Sequence, residues 1–533
     1  MYNPALKSFR ALQVLLLSLC FACTPAEQEL PKVMAVSVSV NGRRADNGSV
    51  GDIPADGASI EVEFTSEVNL EAGEGQVVFS GGEVSAAYGK DKSVVVFTPL
   101  SRLEDFRRYV FTLPAGEHFG VNLLEQASAV FSTQYDQSDK FERIPDDELL
   151  TLVQRQTFKY FWDYAHPVSG LARERLGSGE TVTTGGSGFG IMCLPVGVER
   201  GFVTRSEAAD RLRTIVQFLG GKAQRFHGVY SHWLNGTTGA VIPFSTNDNG
   251  ADLVETAFLI EGLLAAAGYF DKPEEADIRS GIDEIWRAVE WDWFTRGGQN
   301  VLYWHWSPDK DWAMNMHVSG WNEALMVYWL ALRSPTHPVS AEVFRSGWAR
   351  GGGILNGRKF YDITLPAGSD YGGPMFFAHY SFMGLNPMGN GDEFVPSYWE
   401  QNVAHAKINH AYCAANPKKH AGYSAWCWGL TASDIPDGYA ASSPTSDKGV
   451  IAPTAALASM PYTPTESMDA LRTFYYVYGD RLWGEYGFYD AFSLDAAWFA
   501  KSCIAIDQGP IVVMIENYRT GLLWDCFAKY FSL

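Results

Sequence analysis

The sequence predicts a β-sandwich over residues 33–137, followed by an all-α domain over 138–533 closed into an (α/α)6 toroid. Three observations lead there. From Val33 to about Tyr135, apolar residues alternate with period two in short runs about ten residues apart. From Phe141 onward the apolar period becomes helical. The helical runs, about a dozen of them, are separated by long loops rich in glycine and aromatic side chains. A chain of 533 residues also exceeds what one core usually organises.

At the start, Lys7 and Arg10 precede the apolar run 11–19, which is too short to span a bilayer. Ala22 before Cys23 reads as a lipoprotein cleavage site, with Cys23 lipidated; Cys20 follows the bulky Leu19 and is the poorer candidate. Residues 1–23 are therefore expected to be a lipoprotein signal peptide and 24–32 a polar linker. The mature protein is expected in the periplasm or at the cell surface, touching the membrane through its lipid alone. Cys193, Cys413, Cys427, Cys503 and Cys526 show no paired spacing, so they predict neither a disulfide framework nor a zinc site. They read as buried small apolar residues. A net charge of −20 argues against a nucleic-acid partner, which demands a basic surface. Aromatic content of 14% suits sugar stacking and equally suits a large helical core.

The strands expected are 36–40, 60–64, 93–99, 109–113 and 129–133, with Gly, Asn and Asp clusters between them. The Ile60-Glu61-Val62-Glu63-Phe64, Phe97-Thr98-Pro99-Leu100 and Phe131-Ser132-Thr133 segments resemble those of bacterial Ig-like domains. No acid or histidine cluster falls in this part, which implies a spacer or packing domain.

Helices are expected from Pro145, from Thr204-x-x-Glu207 (a capping box) to Gly220-Gly221, and from Asn247-Asp248-Asn249-Gly250 into an apolar run. Further helices are expected over 274–294, 318–332, 340–348, 374–383, 396–414, from a second capping box at Thr463-Pro464-Thr465-Glu466, over 493–505 and over 509–531. The loops 230–239, 303–312, 369–374 and 423–438 are too long for the tight turns of an α-solenoid, which favours the toroid.

Four acidic clusters could serve glycoside hydrolysis, which takes one carboxylic acid as proton donor and one carboxylate as base or nucleophile. Asp248, Asp252 and Glu255 open a helix; the spacing of the last two places them on one face, where acids also simply complement the helix dipole. Glu323 follows Trp321 and Asn322. Asp490 lies in an aromatic stretch, and Asp507 and Glu516 flank the start of the last helical run. Glu516 with Arg519, three residues on, reads equally as an ion pair. Groups suited to sugar hydroxyls and rings crowd the loops: Tyr230, His232, Trp233 and Asn235; Trp304, His305 and Trp306; His379 and Tyr380; Trp426 and Trp428.

Thr157-Phe158-Lys159-Tyr160-Phe161-Trp162-Asp163, the segment Gly250 to Ala257, Gly320-Trp321-Asn322-Glu323, Ile506-Asp507-Gln508-Gly509-Pro510 and Ile515-Glu516-Asn517 together resemble the glycoamylase-like family. This is glycoside hydrolase family 144, which holds endo-β-1,2-glucanases and a sophorose-releasing relative. The resemblance covers about 141–533. It implies the toroid, no metal or organic cofactor, and cleavage of β-1,2-glucan with inversion. It places the functional acids on Asp252, Glu255 and Glu323, and also on Asp507. Glu323 is the expected acid and Asp507 the expected base. Asp252 and Glu255 would hold the sugar or take over one of those roles, with Asp248, His232, Trp233, Trp306, Trp321, Asn322, His379, Trp428, Asp490 and Glu516 binding substrate. The partner expected is a β-glucan or its oligosaccharides, bound by a monomer. The alternatives are a hydrolase of another glycan and a surface glycan-binding lipoprotein without catalysis.

Overall fold

The computed structural model describes residues 29–46, 48–73 and 75–531. The expected signal peptide and its Cys23 lie outside the described residues.

The N-terminal part is β-rich. Its strands are β1 (Lys32–Val33), β2 (Ala35–Val40), β3 (Arg43–Arg44), β4 (Ser49–Ile53), β5 (Ile60–Phe64), β6 (Val78–Phe79), β7 (Val84–Tyr88), β8 (Val94–Pro99), β9 (Arg108–Leu113), β10 (Gly116–His118), β11 (Val121–Leu123) and β12 (Ala127–Thr133). One sheet runs β3-β2-β5-β8-β7, a second β4-β12-β9-β6, and a small third β1-β11-β10. Alternation decides which side chains face inward: Ile60, Val62 and Phe64 of β5 are buried while Glu61 and Glu63 are not. Phe97 of the first sheet meets Phe111 of the second at 4.9 Å between ring centroids, in a shared apolar core.

The rest of the described chain is mainly helical: α1 (Asp146–Trp162), α2 (Thr184–Glu199), α3 (Arg205–Gly221), α4 (Leu253–Tyr269), α5 (Ala276–Arg287), α6 (Leu325–Arg333), α7 (Tyr398–Ala415), α8 (Pro453–Leu457), α9 (Pro464–Arg472), α10 (Gly479–Leu482), α11 (Ala505–Arg519) and α12 (Leu522–Tyr530). Enclosed helices alternate with one-sided ones. Every residue of α4 is buried, as are most of α2 and α11, whereas α1, α3 and α5 bury one face each. The capping box at Thr204–Glu207 forms as expected.

Helix α2 has no counterpart among the sequence expectations. Thr184-Gly185-Gly186-Ser187-Gly188 is poor helix-forming sequence, and tertiary packing overrides it. A Cβ on Gly188 would stand 2.2 Å from the Phe258 carbonyl oxygen, and one on Gly262 would stand 2.0 Å from that of Gly188. Only glycine lets α2 and α4 approach this closely.

Other boundaries differ for local reasons. The helix expected over 493–505 is instead a strand pair, Phe492–Ser493 against Trp498–Phe499, held by stacked Phe492 and Phe499 rings. The helix expected over 509–531 begins earlier, at Ala505, and breaks at Gly521 (φ 75°). Residues 317–318 pair with 302–303 as strands, so α6 starts only at Leu325. The helix expected over 274–294 ends at Arg287, and the 374–383 segment forms two short 3-10 turns. At Thr463 the second capping box does not form; the hydroxyl bonds Ser467 instead.

Among the contacts that fasten the β-part to the helical part, several polar ones fall on the loop at 494–495. The Ser132 hydroxyl donates to the Leu494 carbonyl (2.8 Å), Ser49 donates to that of Asp495 (2.9 Å), and the Gly51 N–H donates to Asp495 Oδ1 (3.2 Å). Among the described residues no helix is long and apolar enough to cross a membrane. All five described cysteines are free and buried.

Candidate functional site

The amino-terminal ends of α4, α6 and α11 carry Asp252 and Glu255, Glu323, and Asp507, four of the acids that the sequence singled out. Asp252 is the N-cap of α4, and its Oδ1 accepts the N–H groups of Val254 and Glu255, both at 3.0 Å. Trp304 Nε1 donates to the same oxygen (3.0 Å), and His232 Nδ1 meets Oδ2 at 3.1 Å. His305 Nε2 stands 3.5 Å from Asp248 Oδ2 and 3.6 Å from Asp252 Oδ2. Strand pairing of Ala251–Asp252 with His305–Trp306 sets that register. Glu255, one turn into α4, accepts the Gly185 N–H at the start of α2 (2.7 Å). A Cβ on Gly185 would fall 2.6 Å from that carboxylate oxygen, so the contact requires glycine.

The electrostatics of this group are divided. Burial pushes Asp252 up, but His232, His305 and the backbone donors outweigh it and hold the carboxyl below its ordinary range. Glu255 is raised by burial and by Asp252, against His232 and the Gly185 donor. Burial and the Asp252 charge raise Asp248 to about 6. Burial lowers His232, yet Glu255, Asp252 and Asp248 overcome it and lift the imidazole to about 9, so it is cationic at neutral pH. His232, Asp248 and Asp252 each present a ligand atom within 4.8 Å of the others, a spacing that a divalent cation would accept. The His232–Asp252 hydrogen bond already occupies two of those groups as an ion pair.

Glu323 precedes α6 and stays partly accessible. The Ser381 hydroxyl donates to its carbonyl and accepts the Met326 N–H (2.9 Å), which fixes the entry to α6. Burial first, then the nearby Glu255 and Asp252 charges, raise Glu323 to about 7.

A second acidic group faces it. Asp507, in the first turn of α11, accepts from the Tyr380 hydroxyl (3.4 Å) and stands against Asp490. Burial pushes both up: with the Asp434 charge it raises Asp490 to about 7, against a hydrogen bond from Asp507, and with the Asp490 charge it raises Asp507 well above its usual range, so the pair shares a proton near neutrality. Asp490 Oδ2 accepts the Asp434 N–H (2.6 Å); Arg175 bridges Asp434 (3.1 Å) and Glu174 (3.0 Å). Tyr380 joins the two groups: Asp507, Glu323 and Glu255 all act on its hydroxyl.

The structure brings together Asp248, Asp252, Glu255, Glu323, Asp490, Asp507 and His232. Trp233 packs at their edge, 4.8 Å from Phe244. Asn322 caps the turn into α6 through the Ala324 N–H (2.9 Å). Other expected sugar contacts are displaced by packing. Trp306 turns away to Trp293 and His227. Trp321 is buried against Trp348, Phe382 and Tyr398. Trp428 is fully buried, its indole donating to the Glu466 carbonyl (3.0 Å). His379 is buried on Ser459 (2.9 Å), with burial lowering it to about 3. Glu516 is gripped by Arg200 (2.7 and 2.8 Å), not by Arg519, which pairs with Asp147. That ion pair lies about two and a half turns along α11 from Asp507.

Sequence reasoning missed Gly185, Glu174, Arg175, Asp434, Tyr439 and Phe244. A Pro-Asp-Gly turn at 436–438 signals the hairpin that carries Asp434 and Tyr439. Nothing local marks the others.

The glycoamylase family model matches residues 315–530. The exo β-1,2-glucooligosaccharide sophorohydrolase (non-reducing end) of Parabacteroides distasonis is 44% identical over 436 residues, covering 77% of this chain. This chain spans 59% of that relative's length. A solved structure from Bacteroides uniformis, named a "putative glucoamylase", is 57% identical, covers 73% of this chain and 95% of that one, and superposes with a TM-score of 0.71. The endo-β-1,2-glucanase of Chitinophaga pinensis, solved with sophorotriose and glucose, is 49% identical, covers 72% and 95% of the two chains, and gives a TM-score of 0.70.

Proposed function

The chain belongs to the glycoamylase family of glycoside hydrolases, and we propose that it cleaves β-1,2-glucan to sophorose or short sophoro-oligosaccharides with inversion. Its helical part is read as an (α/α)6 toroid with the site at the amino ends of the enclosed helices. Its β-part is read as an Ig-like sandwich. The run from Lys7 to Cys23 supports export and a lipid anchor.

The observation that carries the reading is the meeting of Glu323 with one acid group and Asp507 with another, across Tyr380. Glu323 holds its proton up to about pH 7 and gives it to the leaving glycosidic oxygen. The Asp490–Asp507 pair, with one proton between two carboxyls, keeps one carboxylate poised near neutrality to take a proton from the attacking water. Asp252, ionised beside His232, and Glu255 hold the sugar and stabilise the positive charge that develops at its anomeric carbon. The water's oxygen bonds that carbon from the face opposite the departing oxygen, which leaves as a hydroxyl.

Incubation with linear β-1,2-glucan, laminarin and starch, with products resolved by size, tests this. Release from β-1,2-glucan alone is expected; disaccharide throughout marks exo action and a spread of oligomers marks endo action. Digestion of starch in preference would sink the assignment. Glu323→Gln is expected to lower kcat by about 10²–10⁴-fold, and near-normal turnover would remove Glu323 from the acid role.

A further inference from the structure

Two of the tryptophans that the sequence offered as sugar contacts, Trp321 and Trp428, are buried in the core. Two other aromatics remain open beside the acids. Phe244 is 50% exposed, and its ring lies 4.3 Å from that of His232, the imidazole bonded to Asp252. Its backbone N–H donates to the Asp248 carbonyl (2.9 Å), so the turn that presents the ring also positions that acid. Tyr439 is likewise 50% exposed. It pairs across the 432–441 hairpin with Asp434, whose N–H donates to Asp490 (2.6 Å). One aromatic therefore borders the Asp252 group and the other the Asp490–Asp507 pair, with Tyr380 between the two groups.

Isolated apolar side chains on a surface are ordinary. These two stand at opposite ends of a row of buried acids, and each rests on a residue bonded to a candidate catalytic carboxyl. We propose that Phe244 and Tyr439 are the stacking platforms for the pyranose rings on the two sides of the cleaved bond, and that they set the glucan's register against Glu323. The proposal rests on the glucan-cleaving reading. A sugar ring offers C–H groups on its faces, which pack on an aromatic face while its equatorial hydroxyls point sideways to the acids. Such packing is made in the ground state and the transition state alike, so it acts on binding.

Full-length Phe244→Ala, Phe244→Trp, Tyr439→Ala and Tyr439→Phe, each checked for an unchanged unfolding temperature, are compared on sophorotetraose and longer β-1,2-linked oligosaccharides. Both alanine variants are expected to raise KM roughly three- to tenfold with kcat little changed, the size of an aromatic contact. Phe244→Trp and Tyr439→Phe keep a ring and are expected to restore KM. Binding of sophorotetraose by Glu323→Gln, with and without Phe244→Ala, gives the same comparison free of turnover. Unchanged KM in both alanine variants, or a loss confined to kcat, would overturn the platforms while leaving the enzyme assignment intact. A wild-type protein that neither bound nor cleaved any of these oligosaccharides would overturn the assignment and the platforms with it.

Discussion

Glu261 shows what burial alone does to a carboxyl in this protein. It lies on α4 well below the candidate site, fully buried, with Oε1 accepting the N–H of Gly384 (2.8 Å) and Oε2 without a partner. Burial raises it from 4.5 to about 8 against two backbone donors. The folded protein therefore holds a proton that the unfolded chain gives up at lower pH. Stability from this group is whole below about pH 4.5 and drains away as pH rises through about 8. Glu261→Gln keeps the shape and the acceptor but does not titrate. Its unfolding temperature is expected to exceed that of wild type by a margin that widens from pH 5 to pH 8.5. A margin independent of pH would show that Glu261 is ionised in the fold. Glu323 is shifted by the same force with the nearby charges of Glu255 and Asp252 added, and it differs from Glu261 in remaining accessible to a substrate.

At the scale of elements, the approach of α2 to α4 positions the first acid group. Glu255 reaches the α2 amino end only because Gly185 lacks a side chain, and Gly188 and Gly262 let the two backbones touch further along. Gly262→Ala puts a methyl 2.0 Å from the Gly188 carbonyl oxygen, where backbone and not a flexible side chain must move. It is expected to destabilise the protein by about 1–3 kcal/mol, the range for overpacking. A thermal melt measures this, and an unchanged midpoint would mean the helices slide apart without cost. At an exposed helical site the same change would stabilise, because alanine is the better helix former.

For the molecule as a whole, the β-part bears on the loop that carries Asp490. Asp495, five residues beyond it, accepts from the backbone of Gly51 (3.2 Å) and Ala421 (3.0 Å) and pairs with His420 (2.7 Å). A Cβ on Gly51 would stand 2.6 Å from the Asp495 carboxylate and 2.7 Å from the Ala421 methyl. Gly51→Val is expected to part this junction, lower the unfolding temperature and reduce turnover, because Asp490 follows the displaced loop. Wild-type melting and kinetics together would show that the β-part is a passive spacer, as its lack of an acid or histidine cluster suggests. No sequence pattern announces this contact, since Gly51 and Asp495 are 444 positions apart.

The sequence by itself determined the division into a β-rich and a helical part, because side-chain period follows from backbone geometry and is written locally. It also placed Asp252 at a helix start, since an N-cap acid before an apolar run is a local signal. It named the acids, through motifs shared with a family. It did not yield α2, whose glycines argue against a helix until α4 lies beside them, nor the strand pair at 492–499, which exists through contacts distant in sequence. Tertiary structure alone decided which aromatics face the cleft, because burial is a property of the packed whole: it enclosed Trp321 and Trp428 and left Phe244 and Tyr439 open. It also decided the protonation of the acids, which depends on burial and on charges brought in from helices far apart in the chain.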